Sequence, residues 1–256
     1  MGRGTALITG SSSGIGEAFA RLLAREGFDL VLTARREEKL LNLTKELTGV
    51  RADVIAADLS HPEGIEKLLL TIDEKKLDIN LAINNAGMMV EKPLHRLTNQ
   101  EIDNILALNI SAIVKITRHL IEKMARRGHG RILNVASVAA FHPFPGMDIY
   151  SATKAFVLSL SESLAENHRS QGIFVTALCP GITDTEMAEK NIIDSVPNFM
   201  IARPEQVARE GYDAVMGREV VRISGLANRL ALGLAKHQPR SLIRKLSGLA
   251  TRFVSR

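Results

Sequence analysis

The chain has 256 residues, 45% of them apolar and 24% charged, with a single cysteine and a net charge of +5. A chain of this size buries roughly 70–75% of its unfolded surface and needs no staples; its composition excludes disordered, collagen-like and coiled-coil classes. The lone Cys179 excludes an intramolecular disulfide and a cysteine-based metal cluster.

Thr5–Thr9 reads as a short strand ending in glycine, and Glu17–Arg25 as a helix with Ala18, Leu22 and Leu23 on one face. Strand patterns recur at Leu30–Ala34, Val54–Ala57, Leu81–Ile83, Arg131–Val135, Ile173–Leu178 and Val220–Ile223. Between them run helical patterns at Glu37–Leu47, Pro62–Asp73, Asn99–Arg126 (one long helix), Tyr150–Gln171 and Val207–Met216. Alternation of this kind, with continuous apolar strands, predicts an α/β doubly wound domain of Rossmann type over residues 1–224. Its mostly parallel seven-stranded sheet is covered on both faces. The ligand belongs at the carboxyl ends of the strands, where the strand order reverses.

Residues 225–256 read as a helical extension. Leu226, Leu230 and Leu234 share a helical face, and His237-Gln238-Pro239 breaks the pattern. A stripe of Leu242, Ile243, Leu246, Leu249, Ala250, Phe253 and Val254 follows, with Arg244, Lys245 and Arg252 elsewhere on the wheel. Residues 218–256 carry nine basic side chains against Glu219 alone, so +8 of charge sits there and −3 on the preceding 217 residues. Three uses stay open: a lid or subunit contact, peripheral attachment to an anionic membrane, or a nucleic-acid surface. The body has no recognisable nucleic-acid motif, so no nucleic-acid partner is expected. The N-terminus has no run of signal-peptide length and no stretch reaches ~18 consecutive apolar residues. A reducing, cytoplasmic setting is the expectation.

The loop Thr9-Gly10-Ser11-Ser12-Ser13-Gly14-Ile15-Gly16 joins the first strand to the first helix. Glycines there permit a tight turn and let the backbone approach a pyrophosphate seated on the helix N-terminal amides. A plain turn would serve as well in isolation; its position at the head of a βα series favours the phosphate reading. The run T-G-x-x-x-G-I-G resembles the cofactor signature of the short-chain dehydrogenase/reductase family. Ala34 stands where an acid would bond the ribose 2′-hydroxyl of NAD, while Arg35 and Arg36 offer guanidinium forks to the 2′-phosphate of NADP. NADP(H) is therefore the expected cofactor, against the alternative of two solvated residues opening a helix. Asp58 and Leu59 close the third strand, and Asn84-Asn85-Ala86-Gly87 the fourth. Asp58 alone reads equally well as a helix N-cap. The resemblance implies that Asp58 faces the adenine, that Asn84, Ala86 and Gly87 line the cofactor and steady the sheet, and that Pro180-Gly181-Ile182 with Thr185 meets the carboxamide end.

Tyr150 and Lys154 are four residues apart and share a helical face. A tyrosine of pKa about 10 must fall by ~2–3 units, or ~3–4 kcal/mol, to trade protons near neutrality. One ammonium at ~4–5 Å in an effective dielectric of ~20 supplies about that much. Ser137 can bond a substrate carbonyl or alkoxide oxygen. Singly, these are a half-buried helix residue, a surface charge and a turn residue. Together with Asn109 they match the family's catalytic set in order and spacing. The resemblance implies that Asn109 anchors a water linking the lysine to solvent, and that Tyr150 and Lys154 also belong to the cofactor-binding set, the lysine holding the nicotinamide ribose. It further implies homodimers or homotetramers paired through the long helices. Met88, Met89, Val90, Phe141, Pro143, Phe144, Pro145, Met147, Met187, Ile192, Ile193, Phe199 and Met200 surround this set with apolar side chains, which suits a hydrophobic ketone, ketoacyl thioester, steroid or alcohol. His142 reads as an exposed loop residue and Cys179 as packing. A non-catalytic NADP sensor would not need Tyr150 and Lys154, and an epimerase or dehydratase would normally carry a larger C-terminal substrate domain.

Overall fold

Seven apolar runs become strands: β1 (Thr5–Thr9), β2 (Asp29–Ala34), β3 (Ala52–Ala56), β4 (Ile79–Asn84), β5 (Gly130–Val135), β6 (Ile173–Cys179) and β7 (Val221–Ile223). In this computed structural model, which describes residues 3–142, 144, 146–187 and 200–235, they pair in the order β3-β2-β1-β4-β5-β6-β7. Every pairing is parallel. The order reverses between β1 and β4, so a crevice opens at the carboxyl ends of those two strands.

The helices are α1 (Gly14–Arg25), α2 (Glu37–Glu46), α3 (Pro62–Glu74), α4 (Asn99–Leu106), α5 (Ile113–Arg127), α6 (Asp148–His168), α7 (Pro204–Met216) and α8 (Leu226–Ala235). Strand side chains alternate between faces. Ala6, Ile8, Leu30, Leu32, Leu133 and Leu178 pack with Phe19 and Leu23 of α1, Leu40 of α2 and Val207 and Tyr212 of α7. Leu7, Val31, Ile55, Ala82, Ile132 and Val175 pack on the other side with Ile65 and Leu68 of α3 and Ile116, Leu120 and Met124 of α5. The predicted single helix over Asn99–Arg126 is interrupted: residues Ala107–Ala112 form a π-helical turn between α4 and α5. The whole segment Asn99–Arg127 is long and apolar enough to cross a membrane by length and composition, but its apolar stripe is spent on the sheet.

Small and hydroxylated residues let α6 lie close to the sheet. Ser151, Thr153, Val157, Ser161 and Ala165 form its buried face. Behind it, the Asn84 amide donates to Thr117 Oγ1 (3.0 Å) and Asn134 Oδ1 (2.8 Å), and Asn134 donates to Ser161 Oγ (2.9 Å). This chain of side-chain bonds ties β4 and β5 to α5 and α6. At the far edge, Leu226, Leu230 and Leu234 of α8 are 65%, 61% and 75% exposed along one face. The second stripe, 242–254, lies outside the described residues. The start of the extension packs on the cofactor side, because a Cβ on Gly181 would come within 2.3 Å of Asn228 Nδ2.

Replacing Asn134 by leucine removes one bond each from buried Asn84 and Ser161. The expected loss is about 2 kcal/mol of stability, read from urea unfolding. A loss below ~0.5 kcal/mol, the scatter of an ordinary surface substitution, would show that the network does not hold α6 in place.

Candidate active site

A cavity of about 450 Å³ runs along the carboxyl ends of the strands. Its walls carry Gly10, Ser12, Ser13, Gly14 and Ile15 of the first loop, then Arg35, Arg36, Asp58 and Leu59. Ala86, Gly87, Pro180, Gly181, Ile182 and Thr185 line it further along, with Ser137, Tyr150 and Lys154. Three of the residues expected at the site are absent from these walls: Gly16, Asn84 and Asn109.

Backbone geometry explains the first of these. Gly10 has φ +67° and Gly14 φ +58°, which favour glycine. A Cβ on Gly16 would lie 2.2 Å from Gly10 O and 2.6 Å from Asn85 Nδ2, so Gly16 lets the helix press against the loop rather than touching a ligand. Asn84 is fully buried in the network behind the sheet. Its neighbour Asn85, not singled out from the sequence, takes the position at the loop: its amide donates to Thr9 O (3.0 Å) and Gly10 O (3.1 Å). Thr9 Oγ1 accepts from the Asn85 and Ala86 amides at 3.0 and 2.9 Å, which pins the end of β4 to the glycine loop. The N-N-A-G run was the available signal, but a strand sends consecutive side chains opposite ways.

The residues present fit a dinucleotide. The N-cap residue of α1, Ser13, makes no side-chain cap bond, so the first-turn amides remain free for an anion. Beside them, Arg36 Nη2 donates to Ser12 Oγ (3.2 Å) and Ser13 Oγ (3.0 Å) and pairs with Glu186 Oε2 (2.8 Å). Asp58 is not a helix N-cap. It closes a turn by accepting from Ser60 Oγ (2.6 Å) and Ser60 N (3.0 Å). Burial raises its carboxyl, but these bonds, with Arg35 and His61 nearby, outweigh that and hold it below the usual carboxylate range.

Asn109 sits in the π-helical turn, fully buried. Its Oδ1 accepts from Met88 N (2.8 Å), and its amide donates to Met88 O (2.9 Å) and Thr153 Oγ1 (3.1 Å). Both side-chain hydrogens are therefore used in clamping the segment after β4 to α6, one residue from Lys154. Gly87 lies beside both groups: a Cβ there would be in ordinary contact with Asn109 Oδ1 (3.4 Å) and Lys154 Nζ (3.5 Å).

Lys154 is 4% exposed. Its ammonium donates to Val135 O at 2.8 Å and lies 5.6 Å from the centroid of the Tyr150 ring. Burial pulls its pKa down to about 8, which the nearby Cys179 only slightly opposes. Cys179 itself is buried and pushed up to about 12 by desolvation, as an inert packing thiol. Tyr150 is half-buried. Burial raises its phenol above the ordinary value, and a hydrogen bond with the Ser137 side chain opposes that in part. The Tyr150–Lys154 spacing predicts a lowered phenol; in the structure it is raised, because desolvation exceeds the opposing Ser137 bond. Ser137 caps the short turn Val138–Ala140, its hydroxyl oxygen accepting from Ala139 N at 3.1 Å.

The cavity also has apolar walls: Met89, Leu108, Val138, Phe144, Met147 and Met187 line it, together with Glu91. Phe141 instead packs in the core beside α6, and Met200 is exposed elsewhere. Met88 and Val90 do not reach the cavity wall. Pro143, Pro145, Ile192, Ile193 and Phe199 lie outside the described residues. Among the described residues no group of histidines, cysteines and carboxylates could hold a metal ion.

The chain matches the family described as short chain dehydrogenase over residues 4–195. It is 36% identical over 185 residues to nodulation protein G of Rhizobium sp. (strain N33), covering 72% of this chain and 75% of that protein. It is also 36% identical over 191 residues to the very-long-chain 3-oxoacyl-CoA reductase of Mus musculus, covering 72% of this chain but only 61% of the reductase. Among solved structures, a short-chain dehydrogenase from Sphingobium yanoikuyae in complex with NADPH superposes with a TM-score of 0.81 at 33% identity, over 92% of this chain and 96% of that one. The bulky-bulky ketone specific alcohol dehydrogenase of Comamonas testosteroni gives 0.80 at 32% identity, over 93% and 96%. Residues 4–195 include six of the seven strands and every site residue named above, and on that match the chain belongs to the short-chain dehydrogenase/reductase family.

Proposed function

We propose that the protein is an NADP(H)-dependent oxidoreductase that reduces the carbonyl of an apolar substrate, a ketone, ketoacyl thioester or steroid, or oxidises the corresponding alcohol. The observation that carries this reading is the shared cavity: one space is lined by the glycine loop with Arg35 and Arg36, by Ser137, Tyr150 and Lys154, and by methionine and phenylalanine. The NADPH complex of the Sphingobium enzyme supports the cofactor, and the names of the 3-oxoacyl-CoA reductase and the ketone-specific dehydrogenase support the substrate class. A sensor without catalysis is not favoured, because it would have no use for a buried lysine beside a phenol.

Bound nicotinamide supplies a hydride donor or acceptor and, when oxidised, a positive charge beside the phenol. The chain's residues supply the rest. Ser137 Oγ accepts from Ala139 N, and its hydroxyl, which otherwise bonds Tyr150, can turn its proton to the substrate oxygen and stabilise charge developing there. A raised phenol pKa keeps Tyr150 protonated, which is the state required of the acid in carbonyl reduction. Lys154 spends one N–H on Val135 O and has two left for ribose hydroxyls. With its pKa at about 8 it can pass a proton toward Tyr150 near neutrality. Asn109 acts through Met88 and Thr153 as a positioning residue. Assembly as a homodimer or homotetramer completes the proposal.

Replacing Tyr150 by phenylalanine should lower kcat by about 100- to 10,000-fold, the range for loss of a general acid, while NADPH still binds within about twofold of wild type, the scatter expected where no contact is lost. Retained turnover would contradict the assignment. Changing Ala34 to aspartate and Arg35 to serine should shift the ratio of kcat/KM for NADPH over NADH toward NADH; an unchanged ratio would remove the NADP assignment.

The buried amine also makes a stability prediction. Its folded pKa of about 8 lies below the ordinary 10.5, so between these values the unfolded chain binds more protons and stability rises with pH. Relative to Lys154→Met, wild type should gain about 2 kcal/mol between pH 7 and about 9.5, measured by urea unfolding. A flat difference would mean that Lys154 titrates normally.

A further inference from the structure

The segment after β6 brings an acid to the guanidinium expected to receive the cofactor's 2′-phosphate. Glu186 Oε2 pairs with Arg36 Nη2 at 2.8 Å, and Glu186 Oε1 pairs with Lys39 Nζ at 2.7 Å. The two partners lie about 150 positions away, at the junction of β2 and α2. Each carboxylate oxygen thus has its own cation, as the oxygens of a phosphate would. The same Arg36 nitrogen also donates to Ser12 Oγ and Ser13 Oγ, so the ion pair lies directly against the glycine loop. Glu186 borders the same cavity as Arg35, Arg36 and Thr185. Lys39 and Arg36 hold the Glu186 carboxyl down at about 2, so it is an anion at any working pH.

We propose that Glu186 is a built-in occupant of the 2′-phosphate position, and that it sets how strongly the site prefers NADP(H) over NAD(H) by competing for Arg36 and Lys39. This rests on the NADP reading above. A ribose 2′-phosphate carries more charge and more acceptor oxygens than a carboxylate, so it takes the cations over. NAD(H) has nothing to offer them and leaves the Arg36–Glu186 pair in place. The exchange is shallow, because the three side chains are roughly half exposed and exposed ion pairs are weak. The carboxylate therefore tempers the preference without abolishing it.

Adenosine 2′,5′-bisphosphate and 5′-AMP differ by the 2′-phosphate alone and need neither nicotinamide nor turnover. Titration calorimetry with both ligands, at one fixed ionic strength, compares wild type with Glu186→Gln, Arg36→Gln and the double variant. The Glu186→Gln protein should raise the affinity ratio of bisphosphate over AMP by about two- to fivefold, the size of an exposed ion pair. That gain should shrink when Arg36 is also glutamine, leaving only the share that Lys39 carries. If Arg36→Gln lowers the ratio but Glu186→Gln leaves it unchanged or lowers it, the role given to Glu186 is wrong and the NADP reading stands. If wild type does not prefer the bisphosphate and Arg36→Gln changes nothing, both fall.

Discussion

An ammonium buried, among the described residues, without a carboxylate partner is the costly element around which this molecule is arranged. Lys154 has one carbonyl, that of Val135, and the face of the Tyr150 ring for company. Holding it there disfavours its charged form by about 3 kcal/mol at neutral pH, a sizeable share of the stability of an ordinary domain. The surrounding structure offsets this by packing and by side-chain bonds. The Asn84–Asn134–Ser161 chain fixes α6 against the sheet. Asn109 fixes the same helix from the other side through Thr153. A group maintained at such cost, facing a cavity, is what an acid–base site requires.

The sheet order turns that local arrangement into an oriented cleft. Reversal between β1 and β4 separates the loops at their carboxyl ends, and Thr9 with Asn85 bolts the two loops to each other. The resulting crevice is lined by cations, hydroxyls, an amine, methionines and a phenylalanine.

Much of this was legible in the sequence, and the exceptions have physical causes. The strands were visible because both faces of a parallel sheet are buried, which writes each one as an apolar run; Thr5–Thr9 carries its own boundaries. The interruption at Ala107–Ala112 was not visible, since α- and π-turns draw on the same residues and differ only in the spacing of their backbone bonds. The split between Asn84 and Asn85 needed strand register, which adjacent identical residues cannot reveal. The Tyr150–Lys154 spacing predicts a shared face, and both residues line the cavity, but the sign of the phenol's shift depended on desolvation, which spacing does not report. Glu186 was beyond reach, because its partners are distant in the chain.

The central claim is that Lys154 and a bound oxidised dinucleotide together make the Tyr150 phenol acidic. The most direct measurement is the phenolate absorbance titration of Tyr150, taken as the difference between wild type and Tyr150→Phe, with and without saturating NADP+. The pKa should stand above its ordinary value of about 10 in the protein alone and fall by at least ~2 units with the dinucleotide, and this fall should be lost in Lys154→Met. A titration indifferent to NADP+, or a full fall without the lysine, would contradict the account.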